Sequence, residues 1–216
     1  MTFSIIARDP GSASFGVAVS TAVPCVGAIV PHAASGVGAI ATQSYSNIWL
    51  GVDGLRLIEH GLSPRAALEG LLAEDPGAAK RQVAGIDAQG RTFAFTGADC
   101  VDWHGNREGQ NYSVQGNMLA GPQVVEAMAE AFESNAKRGL ASRLLLALEA
   151  GQAAGGDKRG RVSAALLVTP QDATKAPPPD EFVGRLYRLD VRVDDHPNPV
   201  AELRRIYDAL LQRARG

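Results

Sequence analysis

The sequence predicts a single α+β domain over residues 1–216, arranged as a four-layer α/β/β/α sandwich of two antiparallel sheets. Short apolar and β-branched runs come in neighbouring pairs, and turn residues separate the members of each pair, as in β-hairpins. Two pairs of helical segments lie between these groups of strands, an order that differs from the strand–helix alternation of a parallel sheet. A chain of 216 residues is also long enough to bury one substantial core.

The N-terminal part is predicted to form consecutive antiparallel strands. Runs at 3–6 and 15–20 flank a turn that contains proline and glycine, which suits a hairpin. Two further strand-like runs, at 27–30 and 37–43, are joined by the segment 31–36. Their many glycines and alanines indicate that another layer approaches these strands closely.

The first helix pair follows these strands. Apolar residues recur at helical spacing from Leu50, and the pattern ends at Gly61. Ser63 then suits the N-cap of the next helix, because its hydroxyl can accept from the backbone, and Pro64 suits the first helical position. We expect the two helices to cover one face of a sheet.

The rest of the chain repeats this order of strands and helices. A Pro-rich stretch near 170–183 is too short for an interdomain linker, so we expect a surface loop of the same domain. The predicted strands are 82–87, 91–96, 111–119 (beyond a polar loop), 162–168 and 186–193, and the predicted helices begin at Gly121-Pro122, near Leu140 and at Asn198-Pro199.

Composition excludes several classes of function. The net charge of −2 and a pI near 6.1 argue against nucleic acid as a partner. No basic segment with a long apolar run begins the sequence and no apolar stretch could span a bilayer, so we expect a cytoplasmic protein without a membrane partner. Cys25 and Cys100 show no spacing typical of a disulfide framework or a zinc site, and we expect buried, reduced thiols and no metal or organic cofactor.

Six segments together resemble one bacterial family, the domain of unknown function family 1028, which is assigned by fold to the N-terminal-nucleophile hydrolases. The resemblance covers nearly the whole chain and implies the two-sheet sandwich. It says much less about the substrate. The segments are 2–5, 16–20, 38–43, 115–119, 155–160 and 189–196.

The resemblance implies that Thr2 is the catalytic nucleophile. In that superfamily the first mature residue supplies the nucleophile and its α-amine serves as general base, with a pKa near ~8 that lies close to the working pH. Thr2 is small enough for Met1 to be removed before it. The alternative is that Thr2 is an ordinary threonine of a strand. The absence of a lysine between 27 and 43, where a proteasome-type site would place one, argues against proteolysis.

Two further positions are candidates for catalysis. Asn117 follows a glycine that permits close backbone approach, and its amide could stabilise an oxyanion, with Asn47 as second choice. Asn117 could instead cap the coming turn. Asp157, beside Arg159, could orient the nucleophile's amine, while the cations and glycines of 155–161 could bind a carboxylate or phosphate or simply form a solvated turn.

The predicted substrate-binding residues are polar groups at the ends of strands. Ser20 and its neighbour Thr21 are placed near Thr2 by the hairpin, and Gln43 begins a polar loop that could line a pocket. The run Asp194-Asp195-His196 offers metal-binding groups, but helix initiation and turn hydrogen bonding explain it better. The full predicted set of substrate-binding residues is Ser20, Gln43, Asn47, Gln115 and Arg159.

These observations lead to one functional hypothesis and an alternative. The hypothesis is hydrolysis of a non-peptide C–N bond, an amide, lactam or ureido linkage, in a small polar metabolite through a Thr2 acyl-enzyme, and the cations near Arg159 favour an anionic substrate. The alternative is a non-catalytic protein on the same fold, either a ligand-binding protein or a structural oligomer component. In both cases we expect a homo-oligomer, since sandwich domains of this kind often assemble.

Overall fold

The computed structural model describes residues 2–169 and 189–213, and these residues form a mixed α+β fold with two antiparallel sheets and five α-helices. The strands are β1 (Thr2–Asp9), β2 (Ser14–Thr21), β3 (Pro31–Ala34), β4 (Gly38–Ser44), β5 (Arg81–Asp87), β6 (Thr92–Thr96), β7 (Gly105–Gly109), β8 (Tyr112–Asn117), β9 (Ser163–Val168) and β10 (Leu189–Val193). The helices are α1 (Ile48–Glu59), α2 (Pro64–Ala73), α3 (Gln123–Ser134), α4 (Leu140–Ala153) and α5 (Pro199–Arg213).

Strand β1 lies inside the larger sheet. The order of that sheet is β10-β9-β2-β1-β8-β7, and the order of the smaller sheet is β3-β4-β5-β6. Every pairing is antiparallel, so the first residue of β1 lies beside the last residues of both β2 and β8. The start of β1 is thereby enclosed by backbone on two sides.

The two faces of β1 enter different hydrophobic clusters, as the period-two alternation of a strand requires. Phe3, Ile5 and Ala7 pack in a cluster with α3, α4 and α5, whereas Ile6 packs in a cluster between the two sheets. Alanines 39, 41 and 84 of the smaller sheet belong to this second cluster and keep the sheets close together. A third cluster joins α1 and α2 to the outer face of the smaller sheet.

Most predicted elements are present, and Ser63 and Pro64 begin α2 as predicted. Three predictions were wrong. The segment 27–30 is no strand, because Val26–Ala28 forms a short 3₁₀ helix, and the predicted connection contains strand β3 instead. The predicted polar loop before β8 contains strand β7. The Pro-rich stretch near 170–183 and residues 186–188 of the last predicted strand lie outside the described residues.

The cysteine prediction was wrong for one of the two residues. Cys100 is buried, but Cys25 is exposed. Cys25 immediately precedes the 3₁₀ helix and has a left-handed backbone, with φ of 61°. Its neighbour Val26, rather than the thiol, supplies the buried side chain at this turn.

The described ranges contain neither a membrane-spanning helix nor a cluster of metal-binding side chains. None of the helices there is both long and apolar enough to cross a membrane. Residues 2–169 and 189–213 also contain no group of three or more histidine, cysteine, aspartate or glutamate side chains that could hold a metal ion.

The contact between β4 and β5 generates a testable prediction. A Cβ atom at Gly38 would overlap the carbonyl oxygen of Ile86, which is backbone and cannot rotate away. Gly38→Ala should therefore lower the free energy of unfolding by about 1–3 kcal/mol. Gly70 in α2 has open space around it, so Gly70→Ala should raise that free energy by about 0.5–1 kcal/mol. Urea unfolding of both variants measures the contrast, and equal effects would contradict the β4–β5 register.

Candidate functional site

A cleft of about 240 Å³ opens at the start of β1. Its floor is formed by three residues on adjacent strands, Thr21, Thr2 and Asn117, since Thr2 pairs with Thr21 on one side and with Asn117 on the other. One side is lined by Val23, Val26, Ile29, Val30 and Arg159, and the other by Ser44, Tyr45, Ser46 and Met118.

Thr2 lies at the floor of the cleft and is only 6% exposed. Its hydroxyl donates to Oγ1 of Thr21 at 3.2 Å, which turns the side chain toward β2. A hydroxyl that is held by one hydrogen bond and borders a cleft is accessible to a small molecule but shielded from bulk water. This geometry suits a nucleophile, and it also suits a polar group that only binds a ligand.

Gln82 of the smaller sheet determines how the amides beneath the cleft are oriented. Its Nε2 donates to the carbonyl oxygens of Gly116 at 2.9 Å and Gly105 at 3.4 Å, and a carbonyl can only accept. Its Oε1 must therefore be the acceptor for the other amides. Gln43 Nε2 donates to it at 2.8 Å and Asn117 Nδ2 at 2.9 Å.

The same polar network continues along the face of β1 that meets the smaller sheet. Ser4 Oγ donates to Gln43 Oε1 at 2.7 Å and accepts from Gln115 Nε2 at 2.6 Å. Ser113 Oγ donates to Gln115 Oε1 at 3.0 Å. All these side chains are almost fully buried, so the network ties the sheets together with its hydrogen bonds satisfied.

Asn117 is the exception within this network. Its Nδ2 is engaged by Gln82, whereas its Oδ1 is buried and has no hydrogen-bond partner within residues 2–169 and 189–213. Asn117 itself is 1% exposed and lines the cleft. A buried carbonyl oxygen without a partner costs about 1–3 kcal/mol. The structure thus places an oriented amide beside Thr2, with its oxygen buried.

The segment 44–46 on the other side of the cleft is held by Arg81, and Arg81 is in turn bound by the acidic residue Asp75. Arg81 donates to Asp75 through Nε at 3.0 Å and to the backbone oxygen of Tyr45 through Nη1 at 2.6 Å. Asn47, the N-cap of α1, donates to the same carboxylate at 2.9 Å. Hydrogen bonds from Arg81, and then from Asn47 and the backbone N–H of Gly77, lower the pKa of Asp75 to about 2.

Asp157 holds Arg159 at the rim of the cleft. Its carboxylate accepts from the backbone N–H of Arg159 at 2.8 Å and from Nη2 at 3.3 Å. The carboxylate of Asp157 also accepts from the backbone N–H of Ala22 at 3.0 Å, and Ala22 directly follows β2. Asp157 therefore connects the loop of Arg159 to the end of the strand that carries Thr21.

The structure brings three of the predicted site residues together around the cleft: Thr2, Asn117 and Arg159. Asp157 lies behind Arg159 and supports it. Gln43 and Gln115 do not line the cleft, because their side chains are buried in the network between the sheets. The side chain of Asn47 caps α1 and binds Asp75 instead.

Ser20, one of the predicted substrate-binding residues, does not line the cleft. Successive side chains of a strand point to opposite faces, so Ser20 and Thr21 cannot both face the cleft. Ser20 is fully buried and donates to the carbonyl oxygen of Ser163, while Thr21 lines the cleft. Applying the alternation outward from Thr2 would have selected Thr21.

The sequence predicts only part of the cleft wall. The polar loop that begins at Gln43 was given as one that could line a pocket, and residues 44–46 do line the cleft. Residues 27–30 were predicted as a strand, and no prediction was made for Val23 and Val26. Positive φ angles occur on both sides of the cleft, at Cys25 (61°) beside the wall, and at Ser44 (68°) and Met118 (52°), which line it. Such conformations leave no strong signal in non-glycine residues, which is why the sequence did not reveal them.

The run Asp194-Asp195-His196 lies away from this cleft and makes turn contacts. The backbone oxygen of Asp194 accepts from the N–H of Cys25 at 3.0 Å, and Nδ1 of His196 accepts from the N–H of Asn198 at 3.0 Å. These bonds support the interpretation as a turn that precedes a helix.

Asp75 generates a prediction of pH dependence. A carboxyl whose pKa is lowered from 3.8 to about 2 stabilises the fold above pH 3.8, and that stabilisation is lost as the pH falls through about 2. Asp75→Asn should therefore lower the free energy of unfolding at neutral pH by about 1–3 kcal/mol, and the difference from wild type should shrink as the pH falls below 3.8. Denaturant unfolding across this pH range measures the difference.

Asp53→Asn is the matched control, because Asp53 forms an exposed pair with Arg56 on α1. We expect that variant to change stability by less than about 0.5 kcal/mol at every pH. A difference between Asp75→Asn and wild type that does not vary with pH would contradict the lowered pKa.

The chain is similar to one protein family and to two solved structures. The family of unknown function DUF1028 matches residues 2–203. A crystal structure of a Silicibacter pomeroyi protein of the same family superposes with a TM-score of 0.84 and 32% identity, covering 96% of this chain and 88% of that one. Anbu, the ancestral β-subunit from Yersinia bercovieri, gives a TM-score of 0.41 at 11% identity, covering 97% and 94% of the two chains, which is too low to support an argument.

No curated protein sequence matches the chain significantly. The family match covers nearly the whole chain, and the crystal structure agrees with it in both sequence and fold. The chain therefore belongs to the DUF1028 family.

Proposed function

We propose that the protein is an amidohydrolase of the N-terminal-nucleophile type, with its two sheets and outer helices arranged as a four-layer α/β/β/α sandwich. The observation that carries the proposal is the position of Thr2. It is the first residue of an internal strand, it lies at the floor of a cleft, and its hydroxyl is held by a single neighbour, Thr21. Removal of Met1 would give the same residue a free amine beside that hydroxyl.

The proposed reaction cleaves a non-peptide C–N bond in a small polar metabolite. The α-amine of Thr2 takes the hydroxyl proton while Oγ1 attacks the carbonyl carbon. The C–N bond then breaks, the leaving amine takes the proton, and an ester on Thr2 remains. Water hydrolyses this ester to the carboxylic acid and regenerates the hydroxyl. A cleft of about 240 Å³ suits a metabolite rather than a folded polypeptide.

Asn117 and Arg159 have distinct proposed roles. One hydrogen of Asn117 Nδ2 is used by Gln82, so only the second can reach an oxyanion in the cleft. Arg159 is the one charged side chain among the described residues that line the cleft. Its guanidinium is held in place by Asp157 and would bind a carboxylate of the substrate.

The exposed apolar residues beside the cleft favour a second candidate, a non-catalytic oligomer component. Tyr45, Trp49 and Ile48 are 60%, 59% and 42% exposed around the start of α1. An apolar patch of this kind is typical of a contact surface. A protein of this type would bind or assemble without chemistry at Thr2.

Thr2 variants distinguish the two candidates. A β-lactone probe should acylate Thr2 of the wild type, because strained lactones react with an activated hydroxyl, and intact mass should show one adduct. Thr2→Ala should show none and should lose turnover by about 10³-fold or more while keeping its unfolding transition. Thr2→Ser should keep the adduct.

Thr92→Ala is the matched control, because Thr92 is in β6 and does not line the cleft. It should be acylated like the wild type. Equal adduct formation in Thr2→Ala and wild type would refute Thr2 as the nucleophile.

A further inference from the structure

One chain segment supplies an aliphatic wall to the cleft. The aliphatic wall consists of Val23, Val26, Ile29 and Val30, which all come from the connection between β2 and β3. Val26 and Val30 are buried, but Val23 is 42% exposed and Ile29 is partly exposed. Part of the apolar surface of the wall is therefore presented to the cleft, so packing in the hydrophobic core does not by itself explain why these residues are apolar.

The aliphatic wall is rigidly anchored. Ser163 Oγ accepts from the N–H of Val26 at 3.1 Å and donates to the oxygen of Val23 at 2.6 Å. A Cβ at Gly27 would come within 2.9 Å of both Ala165 and Arg192, so the segment packs tightly onto β9 and β10. A surface fixed in this way can bind an apolar group without losing conformational entropy of its own.

The strand order relates the wall to the reacting atoms. Thr21, Thr2 and Asn117 lie side by side, and the hydroxyl of Thr2 turns toward Thr21. The chain continues from Thr21 directly into the aliphatic wall. A group bonded to Thr2 Oγ1 therefore lies next to the wall.

We propose, on the basis of the proposed Thr2 chemistry, that the aliphatic wall is the acyl subsite and that the substrates are amides of short branched aliphatic acids. An acyl group of about four to six carbons fits a cleft of this size. In the reaction its carbonyl carbon becomes bonded to Thr2 Oγ1, and the nitrogen leaves as the free amine.

A chromogenic series tests this inference. The substrates are N-acyl derivatives of 5-amino-2-nitrobenzoate, whose carboxylate is constant and whose release is coloured. They carry acetyl, isobutyryl, isovaleryl or octanoyl groups. We expect kcat/KM to be at least about 10-fold higher for isovaleryl than for acetyl.

Variants of the wall connect the preference to its residues. Val23→Ala and Ile29→Ala remove exposed or half-exposed methyl groups, so they should fold normally and lower the isovaleryl-to-acetyl ratio by about 3-fold or more. Val37→Ala is the matched control, since Val37 lies outside this cleft, and its ratio should stay at the wild-type value.

The outcomes separate this inference from the proposed function. If the β-lactone labels Thr2 but acetyl is preferred, or none of the series is cleaved, the acyl subsite is wrong while the nucleophile stands. If the ratio is the same in wild type and both wall variants, the wall does not select the acyl group. If Thr2 is not labelled and nothing is cleaved, the proposed function fails and this inference fails with it.

Discussion

The hydrogen bonds of Gln82 are the interaction on which the cleft depends. This side chain comes from the smaller sheet, yet its Nε2 donates to backbone oxygen of the larger sheet at Gly116. Because backbone carbonyls can only accept, the direction of every amide in contact with Gln82 follows from that bond. The orientation of the Asn117 amide beside Thr2 is a consequence.

Burial of a polar network of this kind costs free energy unless its atoms are hydrogen-bonded. Here nearly every polar side-chain atom has a hydrogen-bond partner. Ser4, Gln43 and Gln115 use their hydrogen bonds on one another. They occupy positions where an apolar core would otherwise join the sheets, as it does further along β1 at Ile6. Within this network, the side-chain oxygen of Asn117 is the one that has no partner among the described residues, and Asn117 is the member of the network that lines the cleft.

The sequence predicted the elements better than it predicted the site. Helix caps and hairpins depend on local chemistry, so Ser63 and Pro64 could be recognised directly. Whether a polar residue lines a cleft depends on the partners brought to it from distant strands. Gln43 binds Gln82 and Asn47 binds Asp75, and neither pairing leaves a trace in local sequence. The segment 27–30 was assigned to a strand because its apolar residues fit a strand as well as a turn, and the hydrogen bonds of Ser163 that fix this turn come from a distant strand.

The proposed reaction of Thr2 as an N-terminal nucleophile requires a free α-amine, and the state of that amine can be measured directly. Intact mass and N-terminal sequencing should be performed on active protein purified from its native source without an added tag. We expect a chain that is lighter by one methionine and begins at Thr2. Active protein that retains Met1 would contradict it, because a blocked amine cannot act as the general base.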